Sequence, residues 1–250
     1  VSKKNRHGLK RAIPEDVKRE IRRRCGFGCV VCGLGYYEYE HFNPDFKDAK
    51  EHSAEGMTLL CSQCNQKRAR KTLSVETVVL ANGNPKCKQA GFASERYDFW
   101  TDPVEVKIGG LTFLDCAALI RVNGVDILSF RAPENEGEPV RFSGFFSDNS
   151  GDGILNIVDN VWHAGGNSWD IETVGPVITF RRALGDISLK IRVKPPGAIV
   201  VEKIDMVYDG VFFRGGENFL SISFNGRDWQ KFIGCNAIGG DVGISIRSAN

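Results

Sequence analysis

Two Cys-x-x-Cys pairs, "CVVC" at 29–32 and "CSQC" at 61–64, limit this chain more than any other feature. Of eight cysteines in 250 residues, five (Cys25, Cys29, Cys32, Cys61 and Cys64) crowd into the first 64. That number is too sparse for a disulfide scaffold, and the clustering points to a metal. Each pair forms a knuckle that presents two thiolates to one side. Four sulfurs at about 2.3 Å make a closed tetrahedral zinc site. With Cys29, Cys32, Cys61 and Cys64 filling the coordination sphere, no water is activated on this ion, so the zinc is structural and any chemistry comes from elsewhere. Cys25 reads as a small buried residue at a helix end, not a fifth ligand.

Around the knuckles the pattern is mixed α and β. "AIPEDVKREIRRRCG" predicts a helix over about residues 14–24, with Pro14 at its start, Glu15 and Asp16 in the first turn, Arg22, Arg23 and Arg24 in the last, and Gly26 to end it. Residues 36–41 and 57–60 suit short strands, separated by the polar loop "NPDFKDAKEHSAEG". A second helix is expected from about Ser62, carrying Lys67, Arg68, Arg70 and Lys71. Ser74 then caps a short helix through "VETVVLAN".

Beyond this the character changes. Residues 82–103, rich in Gly, Asn and Pro, read as a linker or docking segment. From residue 104 to 250, short stretches alternate apolar and polar residues between Gly, Asn, Asp and Pro turns. That spacing predicts antiparallel strands in a sandwich or barrel, with a β-solenoid as the alternative. The expected architecture is α+β: a zinc-stapled domain over 1–81, the 82–103 segment, and an all-β sandwich-like domain over 104–250.

Charge divides along the same line. Residues 1–75 hold 16 Lys and Arg against 9 Asp and Glu, while the remainder holds 17 against 22. A basic head on an acidic body favours polyanions as partners of the head, because neutralising phosphates releases counterions. No run of eighteen apolar residues is present and the first twenty residues are basic and polar, so neither a membrane span nor a signal peptide is expected, and the cytoplasm is the default location.

The segment between the knuckles resembles the ββα-metal core of HNH endonucleases, on "EH" in the first strand, "LLC" in the second and "CNQK" opening the helix. The resemblance implies Glu40 and Asn65 as ligands of a catalytic Mg²⁺ or Mn²⁺, with His41 as general base. The family's central Asn stands about five residues before the second knuckle; here that position is Gly56. His52 then becomes a candidate for contacting the metal or phosphate, against the alternative of an exposed loop histidine. The stretches "VKREIRRRCGFGCVVCG" and "EHSAEGMTLLCSQC" are also similar to HNH modules at the front of some bacterial anti-phage defence effectors. That resemblance covers about residues 14–75 and says nothing of what residues 104–250 bind.

The expectation is therefore a metal-dependent endonuclease cutting DNA, with Arg22, Arg23, Arg24, Lys67, Arg68, Arg70 and Lys71 on phosphates. The β half would regulate it, through self-association into a homo-oligomer or by docking a partner. Two other readings stand beside it: a non-catalytic zinc module that binds nucleic acid, and a ligand-sensing β protein whose zinc segment only mediates contacts. Within the β half, "NVWHAGGNSWDIE" brings Trp162, His163, Trp169 and Asp170 together, either as core anchors or as a stacking surface for a base or sugar.

Overall fold

The computed structural model describes residues 4–100, 102–165 and 168–248. The chain divides into two compact units. The first takes the chain up to Glu95 together with Asp170–Thr173; the second takes Arg96–Trp169 and the chain from Val174 onward. The four residues Asp170–Thr173 thus group with the zinc-knuckle unit and not with the β-rich one, and within it Asp170 and Glu172 ion-pair with Arg22.

In the first unit, α1 (Glu15–Cys25) starts after Pro14 and stops where Gly26 turns left-handed at φ 73°, a conformation that costs glycine nothing. Ile21 and Cys25 face the core, with Val17 packed beside them. Strands β1 (Glu38–His41) and β2 (Met57–Leu60) pair antiparallel, Glu40 opposite Thr58 and His41 opposite Met57. All four residues of β2 are buried, so this strand is the spine of the unit. Helix α2 (Ser62–Ala69) follows directly, and the Cys61 sulfur caps it by accepting from the Cys64 N–H. Helix α3 (Val75–Gly83) is capped by the Ser74 hydroxyl, which accepts from the Thr77 N–H at 3.1 Å.

The stretch expected as a linker or docking segment is folded. It holds α4 (Lys86–Ala90) and β3 (Phe92–Arg96), with Cys87 and Ala93 buried. The Lys86 N–H donates to the Val30 carbonyl, and Ser94 and Gly33–Gly35 exchange backbone hydrogen bonds, so this segment closes over the first knuckle. Burial of these small apolar residues overrides the loop-like composition.

The second unit is built from strands. β4 (Glu105–Ile108), β5 (Leu111–Val122), β6 (Val125–Arg131), β7 (Arg141–Ser147), β8 (Gly153–Val158) and β9 (Val161–Gly165) come first. β10 (Asp170–Val174) supplies the segment assigned to the first unit. Then follow β11 (Val177–Ala183), β12 (Asp186–Lys194), β13 (Ala198–Tyr208), β14 (Val211–Gly216), β15 (Phe219–Ser223), β16 (Gln230–Phe232) and β17 (Cys235–Ile246). β5 to β9 form one antiparallel run and β11 to β16 another.

The expected all-antiparallel arrangement needs correcting at two places. β4 joins the two runs by pairing antiparallel with β5 and parallel with β13, and β17 runs parallel to β5 along its whole length. Both parallel pairs join strands far apart in sequence. Turn residues dictate antiparallel neighbours only for strands that follow one another, and period-two alternation fixes a strand's face, not its partner. The sheet doubles back on itself where the Ser147 hydroxyl and the Val207 N–H tie the ends of β7 and β13 together. Phe113, Phe142, Phe146, Trp162, Phe180 and Phe213 fill its interior.

Candidate functional site

The four knuckle cysteines converge, with their sulfurs all within 4.8 Å of one another. Cys32 Sγ and Cys61 Sγ are 3.6 Å apart, while tetrahedral zinc with sulfurs at about 2.3 Å sets its ligands about 3.8 Å from each other. None of the four is in a disulfide. A hydrogen bond from Cys32 is the main cause pulling the Cys29 thiol down to about 5, whereas burial pushes Cys64 up to about 12. Four thiolates this close repel unless a cation sits among them, and the donor set fits zinc. Cys25 and Cys87 lie outside the cluster, both pushed up by burial and so kept as thiols.

The clip fixes both ends of the β1–β2–α2 segment, and this brings the sequence-predicted pair together. Asn65, in the first turn of α2, places its amide Nδ2 3.4 Å from Glu40 Oε2 and 3.2 Å from Glu38 Oε2. Turning that amide about its terminal bond presents Oδ1 at the same point, so Glu40 and Asn65 can face one ion with oxygen donors, the type Mg²⁺ and Mn²⁺ prefer. Burial raises the Glu40 pKa, partly opposed by the Arg68 charge, so this carboxylate gains from a nearby cation. Glu38 was not anticipated. Its signal was the alternation in "EYEH": residues two apart on a strand share a face.

His41 has a different set of neighbours. It is 6% exposed and packs against Phe46, ring centroids 5.5 Å apart. Its Nε2 lies 3.0 Å from His52 Nδ1, and His52 Nε2 lies 2.8 Å from the Lys10 carbonyl. Burial is the main cause that lowers the His41 pKa to about 4, with the His52 charge adding to it and Asp45 opposing. The ring is therefore neutral near pH 7. Gly56 sits where a Cβ would come 2.7 Å from the Asn43 carbonyl oxygen, so no asparagine fits there without moving backbone.

The basic residues separate into two groups. Arg22 is 1% exposed and its guanidinium meets both Asp170 oxygens at 2.8 Å, the Tyr39 hydroxyl at 2.7 Å and Glu172 at 3.0 Å. Arg24 donates inward to the Ala54 and Met57 carbonyls and to Asn82. Arg22 is buried and so not placed to contact a phosphate, which corrects the expectation for that residue; Arg24 is half-buried. Arg23 is exposed. On α2 and just beyond it, Lys67, Arg70 and Lys71 are exposed, while Arg68 is 12% exposed and held by Asp45 at 3.0 Å and the His41 carbonyl at 3.1 Å, 4.0 Å from Glu40.

In the second unit, Trp162 is 1% exposed and packs on Tyr97 within the core, and Asp170 is taken up by Arg22. The stacking surface considered for that stretch is not formed by these two residues; positions 166 and 167 lie outside the described residues. No described helix is long and apolar enough to cross a membrane. No family model matches the chain, and no curated protein or solved structure matches it either.

Proposed function

We propose that the chain is a metal-dependent endonuclease of the HNH type that hydrolyses DNA phosphodiester bonds. The observation that carries this reading is the approach of Asn65 to Glu40 across a four-cysteine clip, with the buried, neutral His41 as the next residue on the same strand. A divalent ion held by Glu40 and Asn65 would supply charge for the phosphate oxygens and the leaving oxygen. Glu38 stands beside that pair.

His41 accepts the proton of the attacking water. The electron pair of that water forms the new bond to phosphorus, and the bond to the 3′-oxygen breaks with its electrons on the leaving oxygen, which takes a proton from solvent. A ring with a pKa near 4 is available as an unprotonated base, and an anionic phosphate alongside raises its basicity. Lys67, Arg70 and Lys71 hold the backbone, and Arg68 stands 4.0 Å from Glu40. On the resemblance of residues 14–75, the setting is bacterial defence against foreign DNA, with the β-rich unit controlling the nuclease.

Plasmid cleavage with Mg²⁺ or Mn²⁺, with and without EDTA, tests this. Cleavage that EDTA abolishes and His41→Ala reduces at least 100-fold supports it, as loss of a general base costs about 10²- to 10⁴-fold. Full activity in His41→Ala overturns the mechanism. DNA binding without cleavage by the wild type would make the chain a zinc-containing nucleic-acid-binding module instead.

A further inference from the structure

We propose that His52 is a positioning residue that fixes the His41 ring in the tautomer with its proton on Nε2, leaving Nδ1 as the basic nitrogen. This rests on the nuclease reading for its purpose but not for its geometry. A backbone carbonyl only accepts, so the nitrogen of His52 that lies 2.8 Å from the Lys10 oxygen, Nε2, carries a hydrogen. A neutral imidazole has one N–H, so His52 Nδ1 is a lone pair. The His41 nitrogen 3.0 Å from it, Nε2, must then donate, and the lone pair of His41 falls on Nδ1. In the opposite tautomer of His41 two lone pairs would face each other at that distance. The chain of three groups has one consistent assignment of neutral protons.

The end of that chain is itself held. Asn5 Nδ2 donates to the Phe46 and Ala49 carbonyls, both at 2.6 Å, while Asn5 Oδ1 accepts from the His7 and Leu9 N–H groups. Arg6 pairs with Asp48 at 2.8 Å. These contacts staple the segment bearing Lys10 to the loop bearing Phe46 and His52, and the Phe46 and His52 rings lie nearly parallel with an interplanar angle of 15°. Gly56 is packed too tightly against Asn43 to carry a side chain, so none reaches the histidine pair from that position.

The test uses the full chain, zinc-loaded and labelled with ¹⁵N at histidine. In long-range proton–nitrogen correlation spectra, His41 is expected to show a protonated Nε2, with a slowly exchanging hydrogen, and an unprotonated Nδ1. His52→Phe keeps a ring against Phe46 but removes the acceptor. It should lose the slowly exchanging Nε2 hydrogen and lower kcat by about 10- to 100-fold with KM little changed, the range seen when an orienting partner of a site histidine is removed. His52→Gln offers an amide oxygen and should recover part of both. A His41 ring protonated at Nδ1 in the wild type overturns the proposal, as does wild-type kcat in both variants. If His52→Phe fails to fold, the wild-type spectrum and His52→Gln still decide. A wild type that cuts no DNA, yet shows the stated tautomer, refutes the nuclease reading and leaves the assignment of His52 standing.

Discussion

Replacing Arg22 by methionine should destabilise the first unit by about 3–5 kcal/mol, the cost of breaking a buried ion pair by removing one partner. Burial alone would lower the pKa of Arg22; the hydrogen bonds and charges of Asp170 and Tyr39 outweigh it and raise it, so the guanidinium stays charged. Asp170 is 0% exposed, and without Arg22 its carboxylate loses two hydrogen bonds of 2.8 Å, while Arg19 stands 3.9 Å away. That residual cation sets the expectation toward the lower end, about 3 kcal/mol. The double change Arg22→Met with Asp170→Leu removes the buried carboxylate as well and should cost less than Arg22→Met alone. Every described helix lies in the first unit, so the helical far-UV circular dichroism signal during urea unfolding reads this unit. A cost below about 1 kcal/mol for Arg22→Met, or a double variant less stable than the single, would refute the reasoning.

Cys64→Ser should lose tightly held zinc and the helical signal while the β signal of the second unit remains, since binding energy at such sites is folding energy, on the order of 10 kcal/mol; metal analysis of the purified chain checks it, and zinc-free protein with full helicity would sink it. Changing Lys67, Arg70 and Lys71 together to Ala should flatten the salt dependence of DNA affinity by roughly 0.9 in slope for each lost phosphate contact, with cleavage by bound enzyme little altered, as read by titrations over a salt series. The His41 pKa lies near 4 when folded, below its ordinary 6.5, so the unfolded chain binds the proton more readily. Its contribution is whole above about pH 6.5 and is lost as pH falls toward 4, by at most about 3 kcal/mol. Comparing stability against pH for the wild type and His41→Gln isolates that loss from acid effects on the cysteines; parallel curves would contradict it.

Local chemistry made much of the first unit legible. The helix ends at Gly26 and the Ser74 cap follow from residue types with few alternatives, and two Cys-x-x-Cys spacings leave little choice about where four sulfurs meet. What the sequence concealed was long-range. Arg22 lies among basic residues and reads as one more solvated charge, because its partners Asp170 and Glu172 stand about 150 positions away and no local pattern announces them. His52 is a lone loop histidine until the chain places Lys10 on one side of it and His41 on the other. The parallel pairing of β17 with β5 is hidden for a related reason: a glycine-rich strand with mostly exposed residues carries little of the alternation that would mark its face.

The two faces of β1 explain why these distant contacts bear on the site. Glu38 and Glu40 project on one side toward Asn65, while Tyr39, between them, projects on the other toward Arg22. A strand of four residues has little stiffness of its own, so its position is set by what holds it: the register with β2, the Arg22 network through Tyr39, and the His52 contact at its last residue. Metal ligands need placement to within a few tenths of an ångström, far finer than burial alone provides. Tyr39→Phe is the variant that separates these supports, because it keeps the ring and deletes only the hydroxyl that meets Arg22 at 2.7 Å. Its stability cost should be about 1.5–3 kcal/mol, a hydrogen bond to a charged group, with zinc retained. If β1 is held as described, DNA cleavage should fall by more than that loss of folded protein accounts for, and raising Mg²⁺ should restore part of it. Cleavage that simply tracks the folded fraction would show that Arg22 and Asp170 stabilise the unit without aligning its carboxylates.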